Sequence, residues 1–349
     1  MRTLTFKPAP PFRALRAVRG LLALCLAAPA WLGAAPMAAT GQTGGGLEAL
    51  NEAMVGVRAE ISKEANTSRF LGDLRHGNGV VIDDAGTILT IGYLVVEAQS
   101  VSVLTHEGKE HPARVVAYDA HSGIGVLRAM QPLGVRPAVL GDSAAVKEGD
   151  PMLVLTRHPQ APFSPARVVG RRTFVGYWEY MLENAIYTAP PVEHYAGAGL
   201  FDSNFRLVGI GSLFLESAGT VREDSPGNMF VPIGAFTSVR EALMRTGRPP
   251  GPARPWMGLS LTEQHGRLMV LRVSSKGPAA KAGISVGDLL LAIDGQKVAR
   301  MDELFRALWT RGQAGRRVRL TLLQGNELKE VTLVTGNRYD HYINLPKGE

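Results

Sequence analysis

The sequence predicts a mainly β chain: two packed six-stranded β-barrels, then a smaller domain that combines strands with one helix. Three observations predict it. Short β-rich runs recur from Gly77 onward, separated at regular intervals by turn signals at Asp84-Ala85-Gly86, His106-Glu107-Gly108-Lys109 and Ser203-Asn204, the spacing of an all-β barrel or sandwich. The runs fall into two sets of about six, which suits two packed barrels better than one large sheet. A Pro- and Gly-dense stretch over residues 247–255 then divides the 349-residue chain, which is long enough to build a core on either side.

Taken in order, residues 1–39 read as a secretory signal peptide. Arg2, Lys7, Arg13, Arg16 and Arg19 come without an acid, an apolar run follows from Leu21 to Ala35, and Ala34, Ala35, Ala38 and Ala39 supply small residues for cleavage. The apolar run falls short of the ~20 residues of a membrane span. The expectation is therefore export to the periplasm with cleavage after Ala35 or Ala39 and no stable membrane span; an uncleaved anchor or a lipoprotein is the alternative. Loss of the leader removes those five bases and lowers the formal charge from +7 to +2, which leaves no charge-based ground for a nucleic-acid or polybasic membrane role. It also removes Cys25, the single cysteine, and with it thiol and disulfide chemistry.

Residues 40–50 are Gly-rich at first and predict a flexible spacer, with a short helix beginning within Leu47 to Met54. Val55, Val57, Ala59 and Ile61 alternate with polar or small residues, which predicts a strand. The barrel domain spans 51–235. Its first strands are Val80 to Ile82, Ile88 to Thr90, Val101 to Leu104, Ala113 to Val116 and Ile124 to Leu127. The second set is Pro151 to Leu155, Ala166 to Val169, Ala185 to Tyr187, Leu207 to Gly211 and Met229 to Ile233. Residues 236–254 hold the end of a helix over Ala235 to Arg245 and a linker stiffened by proline. In the second domain, 255–337, strands are expected at Met269 to Val273, Leu289 to Ile293, Arg317 to Leu323 and Glu330 to Val334, with a helix from Asp302 to Arg311. Residues 338–349 are polar and read as a tail.

Three stretches of the second domain stand in a telling order: Trp256-Met257-Gly258-Leu259, Gly277-Pro278-Ala279-Ala280-Lys281-Ala282-Gly283 and Val286-Gly287-Asp288-Leu289-Leu290-Leu291-Ala292-Ile293-Asp294-Gly295. A glycine in an apolar loop ahead of a strand lets successive backbone N–H groups converge on a carboxylate, and an edge strand beside a helix can accept an extended peptide. The segment resembles a bacterial PDZ domain over its whole length. The resemblance implies that Trp256, Met257, Gly258, Leu259, Ser260 and Leu261 supply the loop and edge, and that Leu304, Phe305 and Leu308 line or underlie the groove. At i and i+4, Leu304 and Leu308 are equally readable as core positions of an amphipathic helix.

The barrel segment carries framework motifs of its own: Gly77-Asn78-Gly79-Val80-Val81-Ile82 with Leu89-Thr90, Asp119-Ala120-His121-Ser122-Gly123-Ile124-Gly125-Val126-Leu127, Leu140-Gly141-Asp142-Ser143, and Phe230-Val231-Pro232-Ile233. It resembles the trypsin-like protease domain of the HtrA/DegP family. A serine protease of that kind needs a hydroxyl nucleophile, an imidazole base, a carboxylate that orients the imidazole, and donors for the oxyanion. At the positions matching the triad this chain has Tyr93, Gly123 and Ala196, with Leu94 replacing Tyr93 if one residue is inserted. The oxyanion loop reads His194, Tyr195, Ala196, so a side chain stands where the family has a glycine. None of these can supply the missing chemistry, and no metal or other cofactor is expected.

The resemblance thus implies an exported, degenerate family member that is not an enzyme. It would bind protein C-termini or unfolded polypeptide through its PDZ domain, as a scaffold, chaperone-like or regulatory protein, and assemble as a homotrimer or with an active relative. Two other readings stand beside it: an active endopeptidase with rearranged residues drawn from His121, Ser122 or His194, and a structural partner of an active relative with an unused groove. His106 and His111 share a hairpin, but their spacing fits no zinc pattern. Tyr177, Trp178, Tyr180 and Met181 form an aromatic cluster that reads either as a binding surface or as hairpin core, with Trp178 and Tyr180 on one face.

Overall fold

The computed structural model describes residues 43–219 and 225–349. The signal-peptide expectation lies outside them. Helix α1 (Thr43–Ala53) leads into β1 (Met54–Ile61), followed by the short helix α2 (Ser68–Leu71), β2 (Leu74–Val81), β3 (Thr87–Ile91), the short helix α3 (Gly92–Val95), β4 (Ala98–Leu104), β5 (Glu110–Tyr118) and β6 (Ile124–Ala129). These six strands close as a barrel in the order β1-β2-β3-β6-β5-β4, all antiparallel. Alternation places Val55, Val57, Ala59 and Ile61 inside and Arg58 and Glu60 outside, and closure leaves no unpaired edge.

A second closed barrel follows, β7 (Pro151–Leu155), β8 (Phe163–Gly176), β9 (Tyr180–Ala189), β10 (Gly199–Phe201), β11 (Leu207–Leu215) and β12 (Gly227–Pro232), in the order β10-β11-β12-β9-β8-β7. β10 has only three residues, all buried, and shows no alternation that would announce it. The β8–β9 hairpin reaches well beyond the sequence expectation. Arg171 and Arg172 interrupt the apolar pattern of β8, yet both are partnered: Arg171 donates to Val146 and Asn184 carbonyls, while Arg172 donates to Ala218 and lies 3.6 Å over the Tyr187 ring.

Two short helices follow, α4 (Gly234–Thr237) and α5 (Arg240–Thr246), where one helix was expected. Val239 breaks it at φ −125, and Gly247 ends α5 at φ +73. The second domain comprises β13 (Pro255–Trp256), β14 (Leu259–Gln264), β15 (Arg267–Val273), α6 (Pro278–Lys281), β16 (Leu289–Ile293), β17 (Gln296–Lys297), α7 (Met301–Thr310), β18 (Arg317–Gln324), β19 (Glu327–Val334) and β20 (Gly336–Asn337). Its sheet runs β14-β15-β16-β18-β19, so β14 is an edge. One face packs with α7 around Leu261, Leu290, Phe305 and Leu320, each fully buried.

Two segments depart from the sequence reading. The flexible spacer is partly helical: α1 begins at Thr43, with Leu50 and Ala53 buried and Gly46 tight against the Phe205 ring, where a Cβ would stand 3.1 Å away. The polar tail is docked rather than free. Residues Arg338–His341 form a 3-10 turn, Tyr339 is buried against Tyr118 and Ala120, and the Glu349 carboxylate pairs with Arg128. Its polar groups find hydrogen-bonding partners on both barrels. The linker is held down as well, since the Gly247 carbonyl accepts from the Tyr118 N–H and Arg248 lies over the Tyr339 ring.

Candidate functional site

Three segments meet between the barrels. β3 ends at Ile91 and the chain turns into α3; there the Gly92 N–H donates to the Gly123 carbonyl at 2.6 Å, joining the Tyr93 and Gly123 segments. Gly92 is required, because a Cβ would lie 2.3 Å from the Tyr118 ring. The Tyr93 hydroxyl crosses to the second barrel and donates to the Ser212 carbonyl at 2.8 Å. Burial pushes its pKa well above the ordinary phenol value, with Tyr195 nearby acting in the same direction, so it remains a protonated donor. The Ala196 carbonyl and the Leu94 side chain converge on Gly77, where a Cβ would be 2.8 and 2.3 Å from them. Tyr93, Gly123 and Ala196 are each half-buried.

Asn78 organises the loop opposite. Its side-chain amide donates to the His194 and Ala196 carbonyls at 2.8 and 2.9 Å, its backbone N–H donates to Ala196 at 2.8 Å, and its side-chain oxygen accepts from the Arg157 N–H. Sequence reading used Asn78 only as a framework landmark; a polar residue between two glycines at the start of an apolar strand was the signal for this role. Gly197 takes the left-handed turn of the loop, at φ +73. His194 is exposed and stacks on His158, with ring centroids 3.8 Å apart. Its pKa is lowered by desolvation and by His158.

Of the groups considered for a rearranged dyad, the Ser122 hydroxyl donates to the Asp119 carboxylate at 2.6 Å, and that carboxylate also accepts from the His121 backbone N–H. His121 lines a pocket between the domains together with Arg254, Trp256 and Arg338. Desolvation, with the Arg254 charge, holds its pKa at about 4. Among the described residues no cluster of three or more metal-ligating side chains exists, and no helix is long and apolar enough to cross a membrane.

In the second domain, Gly258 adopts φ +84, a conformation that calls for glycine. It turns the N–H groups of Met257, Gly258 and Leu259 toward one point, and the carboxylate of Glu179 occupies that point at 3.0, 2.7 and 2.8 Å. Glu179 stands at the β8–β9 tip, at φ +55 and 3% exposed. Beside it the Leu261 N–H donates to the Tyr177 carbonyl at 2.8 Å. Trp256, Met257, Leu259 and Leu261 are buried and Ser260 is half-buried; Leu304, Phe305 and Leu308 are wholly buried core residues of α7, and Val175 and Met181 of the hairpin pack on that core. The aromatic cluster is hairpin core, with Trp178 and Tyr180 stacked at 5.6 Å and Tyr180 donating to the Ser122 carbonyl. Sequence reading missed Glu179, whose single local signal was an acid at a hairpin turn.

Paired six-stranded barrels, joined to a small domain whose glycine loop grips a carboxylate, define a trypsin-like peptidase fold with an attached PDZ domain. A family model described as a trypsin-like peptidase domain matches residues 77–210, and one described as a PDZ domain matches residues 255–335. By these two matches the chain carries a trypsin-like peptidase domain followed by a PDZ domain. It is 26% identical over 274 residues to a probable periplasmic serine protease do/HhoA-like of Haemophilus influenzae, covering 74% of this chain and 57% of that protein. It is also 26% identical over 272 residues to the periplasmic pH-dependent serine endoprotease DegQ of Escherichia coli, covering 74% and 59%. The chain thus spans somewhat over half the length of these relatives. The solved structure of an HtrA-type protease AlgW with decapeptide shares the fold, with a TM-score of 0.51 at 19% identity over 84% of this chain and 98% of that one.

Proposed function

We propose that this chain is an exported, non-catalytic HtrA-type homologue that holds protein C-termini or extended polypeptide through its PDZ domain and takes part in envelope protein quality control as a scaffold or regulator. The reading is supported by the residue types between the barrels: by the motif resemblance, Tyr93, Gly123 and Ala196 stand where the family has its base, orienting carboxylate and nucleophile. A protonated phenol committed to the Ser212 carbonyl cannot accept a nucleophile's proton, and a methyl group at 196 offers no electron pair. The nearby hydroxyl of Ser122 is committed to Asp119, and His121 lines the interdomain pocket. Removing every member of a triad leaves only binding and oxyanion effects.

The test is hydrolysis of β-casein by purified protein, alone and as Ala196→Ser. Neither form is expected to cut, because restoring a hydroxyl does not restore a base. Cleavage that follows the protein through purification and disappears in His121→Ala or His194→Ala would overturn the reading. One observation favours a second reading, a structural partner of an active relative with an unused groove: the Glu179 carboxylate already fills the PDZ loop. A display screen that recovers no C-terminal ligand for the full chain would support that partner role.

A further inference from the structure

We infer that the β8–β9 hairpin tip is an internal ligand of the PDZ domain, with the Glu179 side-chain carboxylate holding the place of a bound chain's terminal carboxylate until an outside C-terminus displaces it. The inference rests on the peptide-binding reading above and specifies how that site is controlled.

Each kind of contact a bound peptide would make is already made from within. The charged group is supplied by Glu179, which accepts three converging N–H bonds. Strand addition at the β14 edge is supplied by Tyr177, whose carbonyl accepts from Leu261. Apolar contact comes from Val175 and Met181, which sit on the core beneath α7, and Arg306 of α7 pairs with Glu183 of β9 at 3.4 Å. The tip is held from its other side by Arg338, which donates to the Trp178 and Glu179 carbonyls at 2.7 Å each.

The arrangement is specific to a carboxylate. A buried acid needs full compensation by donors, and Glu179 reaches them only by adopting a left-handed backbone that an L residue other than Asn or Asp seldom takes. A turn without this task would more naturally carry glycine there. The competing ligand is therefore a polypeptide with a free C-terminal carboxylate and an apolar last side chain, since it must replace the same charge and the same apolar contacts.

The experiment uses the full mature chain and its Glu179→Gly variant, which keeps the left-handed turn and removes the carboxylate, with Glu179→Gln as a shape-preserving second variant. Thermal unfolding first establishes that each is folded. The probe is a pool of N-terminally fluorescein-labelled decapeptides with apolar last residues, in free-acid and C-terminally amidated forms. Amide hydrogen exchange at Met257, Gly258 and Leu259 is followed in parallel. The expected result is at least tenfold tighter binding of the free-acid pool to Glu179→Gly than to the parent chain, no gain with the amidated pool, and faster exchange at all three amides. Equal affinity and equal exchange in parent and variants would overturn the inference while leaving peptide binding intact. Faster exchange with no peptide bound by any form would sustain the internal ligand and refute the peptide-binding reading.

Discussion

The guanidinium of Arg338 donates to the carbonyl oxygen of Glu179 at 2.7 Å, tying the last segment of the chain to a hairpin 159 positions earlier. The same nitrogen also reaches the Trp178 carbonyl. A segment that reads as a polar tail thus clamps the turn that enters the PDZ loop. Arg338→Ala should lower stability by about 2 kcal/mol, the scale of losing charged hydrogen bonds in a partly buried site. Denaturant unfolding measures it; a loss below a few tenths of a kcal/mol would show that the clamp is idle.

Gly197 has no room for a side chain. A Cβ would stand 1.9 Å from the Asn78 carbonyl, and the backbone is left-handed at φ +73. Gly197→Ala combines a backbone clash with an unfavourable conformation, so a loss of about 3 kcal/mol or more is expected. The urea midpoint should fall accordingly, whereas an unchanged midpoint would mean that the loop lies elsewhere.

His121 makes stability depend on pH with a definite sign. Its folded pKa of about 4 lies below the ordinary value of 6.5 because of desolvation and the Arg254 charge, only partly opposed by Asp119. The unfolded chain therefore binds a proton that the folded chain refuses. The contribution is complete above pH 6.5 and is lost as pH falls from 6.5 toward 4, by on the order of 3 kcal/mol. His121→Gln should flatten the stability profile in that window relative to the parent chain, and identical profiles would contradict this assignment.

The Tyr339 hydroxyl accepts from the buried Ala120 N–H at 2.9 Å. Tyr339→Phe keeps the ring packed against Tyr118 and strands that donor, so a cost of about 1–3 kcal/mol is expected from chemical unfolding. A neutral result would mean that water reaches the amide.

Much of the architecture was legible because it is written in local patterns. Val55 to Ile61 alternates, and Leu289–Ile293 is bounded by turn residues that set its limits. β10 was not legible, since three consecutive buried residues, the first a glycine, carry no period. The long hairpin was hidden for a different reason: Arg171 and Arg172 break the apolar pattern of β8, and only the fold supplies their carbonyl and aromatic partners.

By itself, the sequence determined the two-barrel and PDZ architecture, the glycine at 258 that lets three amides converge, and the residue types at 93, 123 and 196. Each of these follows from short-range pattern or side-chain identity. Only the tertiary structure decided where Glu179 goes, that Asn78 braces the Ala196 loop, and that residues 338–349 dock. These are polar contacts between positions 79 to 219 apart in the chain, and a polar side chain reads as solvated until the fold brings its partner and excludes water.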